Sequence, residues 1–228
     1  MRYYGQFDPP VDQFIFQRYF PDLSIGGTFV ECGAFDGELE CSCKYFEEYM
    51  GWRGYNLEPV PWLFDALKRN RPRSCNLNLA LSNKNGSASF KTVLHPRFGR
   101  ECTNGSLQHA ASHQQLLIDA GCTFEEITVE TITWKDLVAA QGISRVDLLV
   151  LDVEGHEGAV IEGMSGCEVL PDIFCIEFGH VGFDVIRRRV EALGYEYDVT
   201  SHANAYFVKL EAVPRFLSRG QSLSASDI

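Results

Sequence analysis

The chain has no long hydrophobic run, and no stretch approaches the ~20 consecutive apolar residues that a membrane-spanning helix needs. Residues 1–10 are polar and aromatic, and they lack the apolar segment of a secretion signal. From these two absences we expect a cytoplasmic protein with no membrane partner.

Basic side chains are also scarce. The 228 residues include 20 Lys and Arg against 31 Asp and Glu, which gives a formal net charge of -11. Such a charge repels phosphate backbones. The two short basic clusters, at 68–73 and 187–189, fall on predicted helix surfaces. We therefore expect no nucleic-acid partner.

The eight cysteines include no C-x-x-C pair of the kind found in zinc sites or thioredoxin-like sites. Cys32 and Cys175 lie within apolar, strand-like runs, where a free thiol behaves as a small hydrophobic side chain. The cysteines are therefore interpreted as reduced and structural.

Internal repeats and low-complexity linkers are absent too, and only residues 218–228 form a loose, Ser-rich segment. Apolar residues make up 45% of the chain and charged residues 22%, which is typical of a globular protein. We expect one domain over residues 1–217, beginning with a helix, and a flexible tail over 218–228.

What the chain does contain is a regular alternation of strand-like and helix-like segments. The predicted strands cover 28–33, 54–58, 75–81, 127–132, 146–153, 172–178, 195–200 and 203–210, with a short accessory strand at 87–93. Residues 38–50 form the predicted helix after the first strand, and residues 94–106 form a long loop. This order predicts an α/β fold with a doubly wound, mostly parallel, seven-stranded sheet that carries one antiparallel edge strand.

The first predicted strand ends in a glycine turn that favours a nucleotide-type ligand. Gly33 and Gly37 allow the backbone to turn sharply and approach that ligand. Glu58 ends the second strand, at the position where an acid contacts ribose hydroxyls. The G-x-x-x-G spacing lacks the pyrophosphate cradle of an NAD site, and Glu31 suits the cationic amino group of a methionine moiety. S-adenosylmethionine is therefore the expected cofactor, with NAD as the alternative.

A second group of polar residues follows the most buried predicted strand, where Asp152, Glu154, His156 and Glu157 place four ionisable groups within six residues. Ligands of open α/β sheets bind at this edge. We expect His156 to act as the general base, with Glu154 or Glu157 beside it, because imidazole titrates near neutral pH. A purely structural role of this group is the alternative, and a helix-capping role for Asp152 or Glu154 is compatible with function.

A divalent cation is a further possibility at this edge. Asp152, Glu154 and Glu177 offer three carboxylates that can hold such a cation and lower the pKa of a substrate hydroxyl, although their spacing does not require one. His180, near the end of the same strand as Glu177, is interpreted as an ordinary loop histidine.

Several blocks of the chain, in the same order, resemble the FkbM-type methyltransferase family. They are residues 5–6, 12, 29–37, 51–54, 57–59, 70–71, 80–82 and 147–157. The resemblance implies a class I, Rossmann-like methyltransferase fold with S-adenosylmethionine as the methyl donor. It also implies transfer to a hydroxyl oxygen of a small metabolite such as a sugar or a polyketide.

The resemblance assigns a part of the cofactor site to individual residues. The methionine end is assigned to Glu31, Gly33 and Gly37, the ribose to Glu58, the adenine to Ala80 and Leu81, and the position beneath the sulfonium to Asp152. Ala34 and Pro59 are further expected cofactor-binding residues. Many relatives carry Ser-Asn-Thr where this chain has Ser42-Cys43-Lys44, so Ser42 is the remaining candidate near the cofactor carboxylate. This departure leaves a catalytically inactive cofactor-binding module as the alternative function. The sequence predicts no particular oligomeric state.

Overall fold

The computed structural model describes residues 1–212, and the predicted tail at 218–228 lies outside them. The strands are β1 (Thr28–Cys32), β2 (Arg53–Leu57), β3 (Cys75–Leu77), β4 (Ala80–Ser82), β5 (Gly86–Leu94), β6 (Thr123–Thr133), β7 (Leu148–Leu151), β8 (Ile173–Glu177), β9 (Tyr195–Ser201) and β10 (Asn204–Lys209). The helices are α1 (Val11–Tyr19), α2 (Lys44–Met50), α3 (Pro61–Asn70), α4 (Ala111–Asp119), α5 (Trp134–Gln141), α6 (Glu157–Gly163) and α7 (Phe183–Glu191).

Seven strands form the main sheet in the order β3-β2-β1-β7-β8-β10-β9, which confirms the predicted fold class. Neighbouring strands of this sheet are parallel from β3 through β2, β1 and β7 to β8, and β10 is antiparallel to both of its neighbours. The antiparallel strand therefore lies one place in from the edge, and β9 is outermost. This order arises because β10, the last described strand in the chain, inserts between β8 and β9.

Helices cover both faces of the main sheet, as a doubly wound fold requires. Successive side chains of a strand point to opposite faces. Val30 and Leu149 lie on the face of the sheet that α5, α6 and α7 cover. Phe29 and Val150 pack against the opposite face, with α1 and α2. The central strands are thus buried on both sides, in agreement with their continuous apolar sequence.

The predicted strand at 75–81 is divided into two strands that belong to different sheets. β3 pairs with β2 in the main sheet, whereas β4 joins β6 and β5 in a three-stranded sheet. The amide of Asn78 lies between them and donates to the backbone oxygens of Glu58 and Pro59. These bonds hold the chain at the point where it leaves the main sheet.

The predicted helix at 38–50 begins only at Lys44, because residues 33–43 form a loop instead. Gly33, Phe35, Gly37 and Glu40 all have positive φ, which an α-helix does not accept. The loop crosses the carboxyl end of β1 before α2 starts.

The longest described helix, α3, has ten residues. Within residues 1–212 no helix reaches the length and hydropathy that a bilayer crossing needs.

Candidate active site

A cavity of about 310 Å³ opens at the carboxyl ends of the central strands. Gly33 follows β1, Glu58 follows β2 and Asp152 follows β7, and all three line the cavity. The other predicted site residues in its lining are Pro59, Ala80, Leu81, Glu154, His156 and Glu177. The cavity thus lies where ligands of open α/β sheets bind.

Gly33 allows β1 and β7 to end close together. Its φ is +82°, and a Cβ atom at this position would lie 1.9 Å from the backbone oxygen of Asp152. That separation is far below a van der Waals contact, so a side chain would force the loop at 33–43 away from β7. Glycine at this position therefore shapes the floor of the cavity.

Glu58 is buried beside an apolar wall of the cavity. Its carboxylate accepts hydrogen bonds from the backbone N–H of Phe35 at 3.0 Å and of Val60 at 2.8 Å. Burial raises the pKa of Glu58 to about 8, although the two N–H donors oppose this shift. Phe35 and Val60 pack with Ala80 and Phe90, and all four line the same cavity. A carboxylate next to a flat apolar wall is suited to a ribose and its base.

Glu31 has a different environment from the one predicted. It is not among the described residues that line the cavity, and neither are Ala34, Gly37 and Ser42. Its carboxylate accepts hydrogen bonds from the N–H groups of Ser42 at 2.7 Å and Cys43 at 3.0 Å, and forms an ion pair with Arg71 at 3.2 Å. These bonds take up the oxygens that were expected to bind a methionine amino group. Glu31 instead anchors the loop that precedes α2.

Several acidic groups crowd the opposite side of the cavity. The pKa of Asp152 is raised well above its usual range, first by burial and then by the charges of Glu154 and Glu157. Burial, with the nearby charges of Asp152 and Glu154, raises the pKa of Glu177 to about 9. These carboxyls therefore hold their protons at neutral pH, and a bound cation would favour their ionisation.

Glu157 is a structural member of this acidic group. It is fully buried, and its carboxylate accepts hydrogen bonds from the N–H groups of Val153 and Gly155. It therefore fixes the turn between β7 and α6, and it is not among the described residues that line the cavity. Of the two carboxylates predicted to lie beside His156, Glu154 is the one that lines the cavity.

His156 lines the cavity on the side formed by β4. Its Nε2 lies 3.0 Å from the hydroxyl oxygen of Ser82, and that hydroxyl donates to the side-chain oxygen of Asn83 at 3.5 Å. Burial lowers the pKa of His156, and its buried Nδ1 has no hydrogen-bond partner within residues 1–212. The lowered pKa favours the neutral ring, which is the form that a general base requires.

Residues 31–197 match the Methyltransferase FkbM domain. This chain belongs to the FkbM methyltransferase family. The matched region contains every residue that was predicted to take part in the site. No relative among curated proteins matches the chain at a significant level.

Several solved structures are remotely similar to this FkbM-family chain. Fibrillarin of Aeropyrum pernix, in complex with natively bound S-adenosyl-L-methionine, is 14% identical with a TM-score of 0.41, and the match covers 82% of this chain and 68% of that one. A methyltransferase from Pyrococcus furiosus is 14% identical with a TM-score of 0.44, covering 88% and 82%. A TehB-like SAM-dependent methyltransferase from Corynebacterium glutamicum is 13% identical with a TM-score of 0.39, covering 81% and 80%. The family assignment rests on the domain match.

Two histidines of this FkbM-family chain converge on Glu154 in the cavity. The Nε2 atom of His180 lies 2.8 Å from Oε2 of Glu154, and Nδ1 of His113 lies 3.7 Å from the same oxygen. The two imidazole rings stack with their centroids 3.7 Å apart. His113 and His180 both line the cavity, so they belong to the site.

Sequence reasoning missed His113 and undervalued His180. His113 lies on α4, which carries no recognisable motif, and the other nearby histidine, His109, precedes that helix. The predicted cation ligands were Asp152, Glu154 and Glu177. The ligand atoms that the structure groups within 4.8 Å of one another are those of His113, Glu154 and His180, so the two sets share Glu154.

Proposed function

We propose that the protein transfers a methyl group from S-adenosylmethionine to a hydroxyl oxygen of a small metabolite such as a sugar or a polyketide. The observation that carries the proposal is that Glu58 and Asp152 line one cavity in a chain of the FkbM methyltransferase family. When bound, the cofactor supplies an electrophilic methyl group attached to a sulfonium. The residues of the chain bind that cofactor and place the acceptor in line with it.

The lining residues fit the nucleoside half of this cofactor. Each carboxylate oxygen of Glu58 accepts one backbone N–H and keeps a lone pair for a ribose hydroxyl. Phe35, Val60 and Ala80 provide an apolar surface beside it for the adenine. We assign ribose binding to Glu58 on this basis.

The acidic side of the cavity fits the methionine half. The sulfonium and the amino group of the cofactor are both cationic, and Asp152, Glu40 and Glu177 line the cavity with raised pKa values that burial and mutual repulsion explain. Each of these carboxyls ionises more readily next to a cation. We assign the position beneath the sulfonium to Asp152.

His156 is our candidate for the group that accepts the proton of the acceptor hydroxyl. Its Nε2 lies 3.0 Å from the hydroxyl oxygen of Ser82, which orients the ring, and burial keeps the ring neutral by lowering its pKa. Proton removal by a positioned base typically contributes about 10²- to 10⁴-fold to a rate.

The charge of the cavity narrows the class of acceptor. Five carboxylates line it, from Glu40, Glu58, Asp152, Glu154 and Glu177. Among the described lining residues the one arginine or lysine is Arg100, which is already paired with Glu125 at 2.9 Å. The described lining thus leaves no arginine or lysine free to pair with a phosphate or carboxylate, so we propose an uncharged, hydroxylated acceptor.

Calorimetric titration with S-adenosylhomocysteine tests the cofactor assignment. We expect micromolar binding to the wild-type protein and no binding of NAD. Glu58→Gln replaces one acceptor oxygen with an N–H₂ donor that cannot accept from a ribose hydroxyl or from the backbone, so the affinity should fall about 10- to 100-fold. Glu196→Gln, which changes an exposed carboxylate on β9, is the matched control and should bind as the wild type does.

Equal affinities of wild type and Glu58→Gln would remove Glu58 from the ribose site. No binding of S-adenosylhomocysteine to the wild-type protein would contradict the proposed function itself. An inactive module would still bind this ligand, so methyl transfer has to be measured separately.

A further inference from the structure

We propose that His113, Glu154 and His180 bind a divalent transition-metal ion within the cavity, with Glu177 next to it. The role of this ion, which is to bind the acceptor hydroxyl and lower its pKa, rests on the proposed function. The binding of the ion itself does not, because the three ligands come from the chain alone.

The first support is that three ligand atoms lie within 4.8 Å of one another, although the two stacked imidazole rings have to turn before both nitrogens face one ion. Two ligands that bind a metal at about 2.1 Å in tetrahedral geometry lie about 3.4 Å apart. The distances from Oε2 of Glu154 to Nε2 of His180 and to Nδ1 of His113, 2.8 and 3.7 Å, lie on either side of that value. Nε2 of His180 is also 3.7 Å from Oε1 of Glu177, so a fourth ligand is within reach.

The second support is that two atoms near this point are buried and unsatisfied. Nδ1 of His113 and Oε2 of Glu177 have no hydrogen-bond partner within residues 1–212, whereas Oε2 of Glu154 is paired with Nε2 of His180 at 2.8 Å. His113 itself is 7% exposed. Buried polar atoms without partners are costly. A cation bound by these atoms removes that cost.

The third support is the tautomer of His113. The side-chain N–H₂ of Asn104 donates to the hydroxyl of Thr103 at 3.0 Å, so its oxygen faces Nε2 of His113, at 3.4 Å. The neutral tautomer in which Nε2 of His113 donates to this oxygen leaves the lone pair on Nδ1, which lies 3.7 Å from Oε2 of Glu154. Metal-binding histidines commonly donate their second N–H to a carbonyl oxygen in this way.

The ligand types indicate which ions fit. Two imidazoles and a carboxylate favour zinc, iron, cobalt or nickel, whereas magnesium and calcium prefer oxygen ligands throughout. This set also differs from the all-carboxylate set that the sequence suggested. The structure thus points to a transition metal.

Titration with Co²⁺ tests this site without any methyl-transfer assay. The full chain is treated with a chelator, dialysed and titrated with Co²⁺, and visible absorption and thermal stability are recorded. We expect one equivalent of Co²⁺ to give d–d bands and to raise the Tm. His113→Gln and His180→Gln should each weaken the binding of Co²⁺ at least tenfold.

The matched control is His109→Gln, which changes a neighbouring imidazole whose Nε2 is bonded to the backbone oxygen of Asn104 instead. It should bind Co²⁺ as the wild type does. The proposal is overturned if the wild-type protein binds no Co²⁺, or if the His113 and His180 variants bind it as tightly as His109→Gln. Calorimetry with S-adenosylhomocysteine on the chelated protein separates the metal site from the proposed function. If the protein binds S-adenosylhomocysteine but no Co²⁺, the metal site is contradicted and the cofactor assignment is not.

Discussion

Arg71 stabilises segments next to the cavity, although it is not among the described residues that line the cavity. Its side chain is fully buried, and it pairs with the carboxylates of both Glu31 and Glu47. Glu31 in turn holds the N–H groups of Ser42 and Cys43. Through these bonds one guanidinium ties β1, α2 and the loop before α2 together.

We predict that Arg71→Met destabilises the protein by about 3–5 kcal/mol, because it leaves two carboxylates buried without their cation. Urea unfolding followed by circular dichroism measures this difference. The control is Arg73→Met, since Arg73 is 60% exposed and lies 3.7 Å from Glu47. That variant should lose less than about 1 kcal/mol. Similar losses for both variants would show that Arg71 is not the anchor.

Some residues of the site could be predicted from the sequence, and others could not. Glu58 and Asp152 could be assigned to the cavity because each directly follows a predicted parallel strand, and the ends of such strands meet at one edge. Glu31 follows the same logic, yet its carboxylate is bonded to Arg71, whose importance depends on tertiary packing. His113 could not be found, because its partners come from distant segments of the chain.

At the scale of elements, the loop at 33–43 decides the shape of the cavity. We predict that Gly33→Ala destabilises the protein by more than about 2 kcal/mol, because it adds a backbone clash to a strained positive φ. Gly142→Ala is the control, because the φ of Gly142 is +59° and no atom lies near its Cβ position. This variant should lose about 1 kcal/mol of stability from the positive φ alone. Thermal unfolding of both variants tests the difference, and equal shifts in Tm would contradict the close approach of Gly33 to Asp152.

Elements were predictable where one periodicity lasts for a whole segment. The uninterrupted apolar run at β7 and the apolar stripe of α7 both correspond to the predicted segments. The division between β3 and β4 was not predictable, because it depends on the bonds from Asn78 to the backbone of the loop after β2. The late start of α2 depends similarly on positive φ values in the preceding loop. Local pattern gives the elements, and contacts between distant segments set their ends.

At the scale of the whole molecule, a net charge of -11 is matched by a cavity in which five carboxylates meet one arginine. A cationic cofactor is attracted to such a molecule, while anionic metabolites are repelled. The sheet gathers these charges because β1, β2, β7 and β8 are parallel and end at one edge. The fold thus brings together at one place acidic groups that are spread along the sequence.

Methyl transfer itself is the most direct test of the central claim. The protein is incubated with ¹³C-methyl-labelled S-adenosylmethionine and a panel of uncharged hydroxylated sugars and polyketides, and products are identified by NMR. We expect a new O-methyl signal with at least one acceptor. His156→Ala should lower turnover about 100-fold or more while binding of S-adenosylhomocysteine is retained. A product methylated on nitrogen or carbon would contradict the proposed hydroxyl acceptor. Cofactor binding without any labelled product across the panel would contradict catalysis and favour an inactive cofactor-binding module.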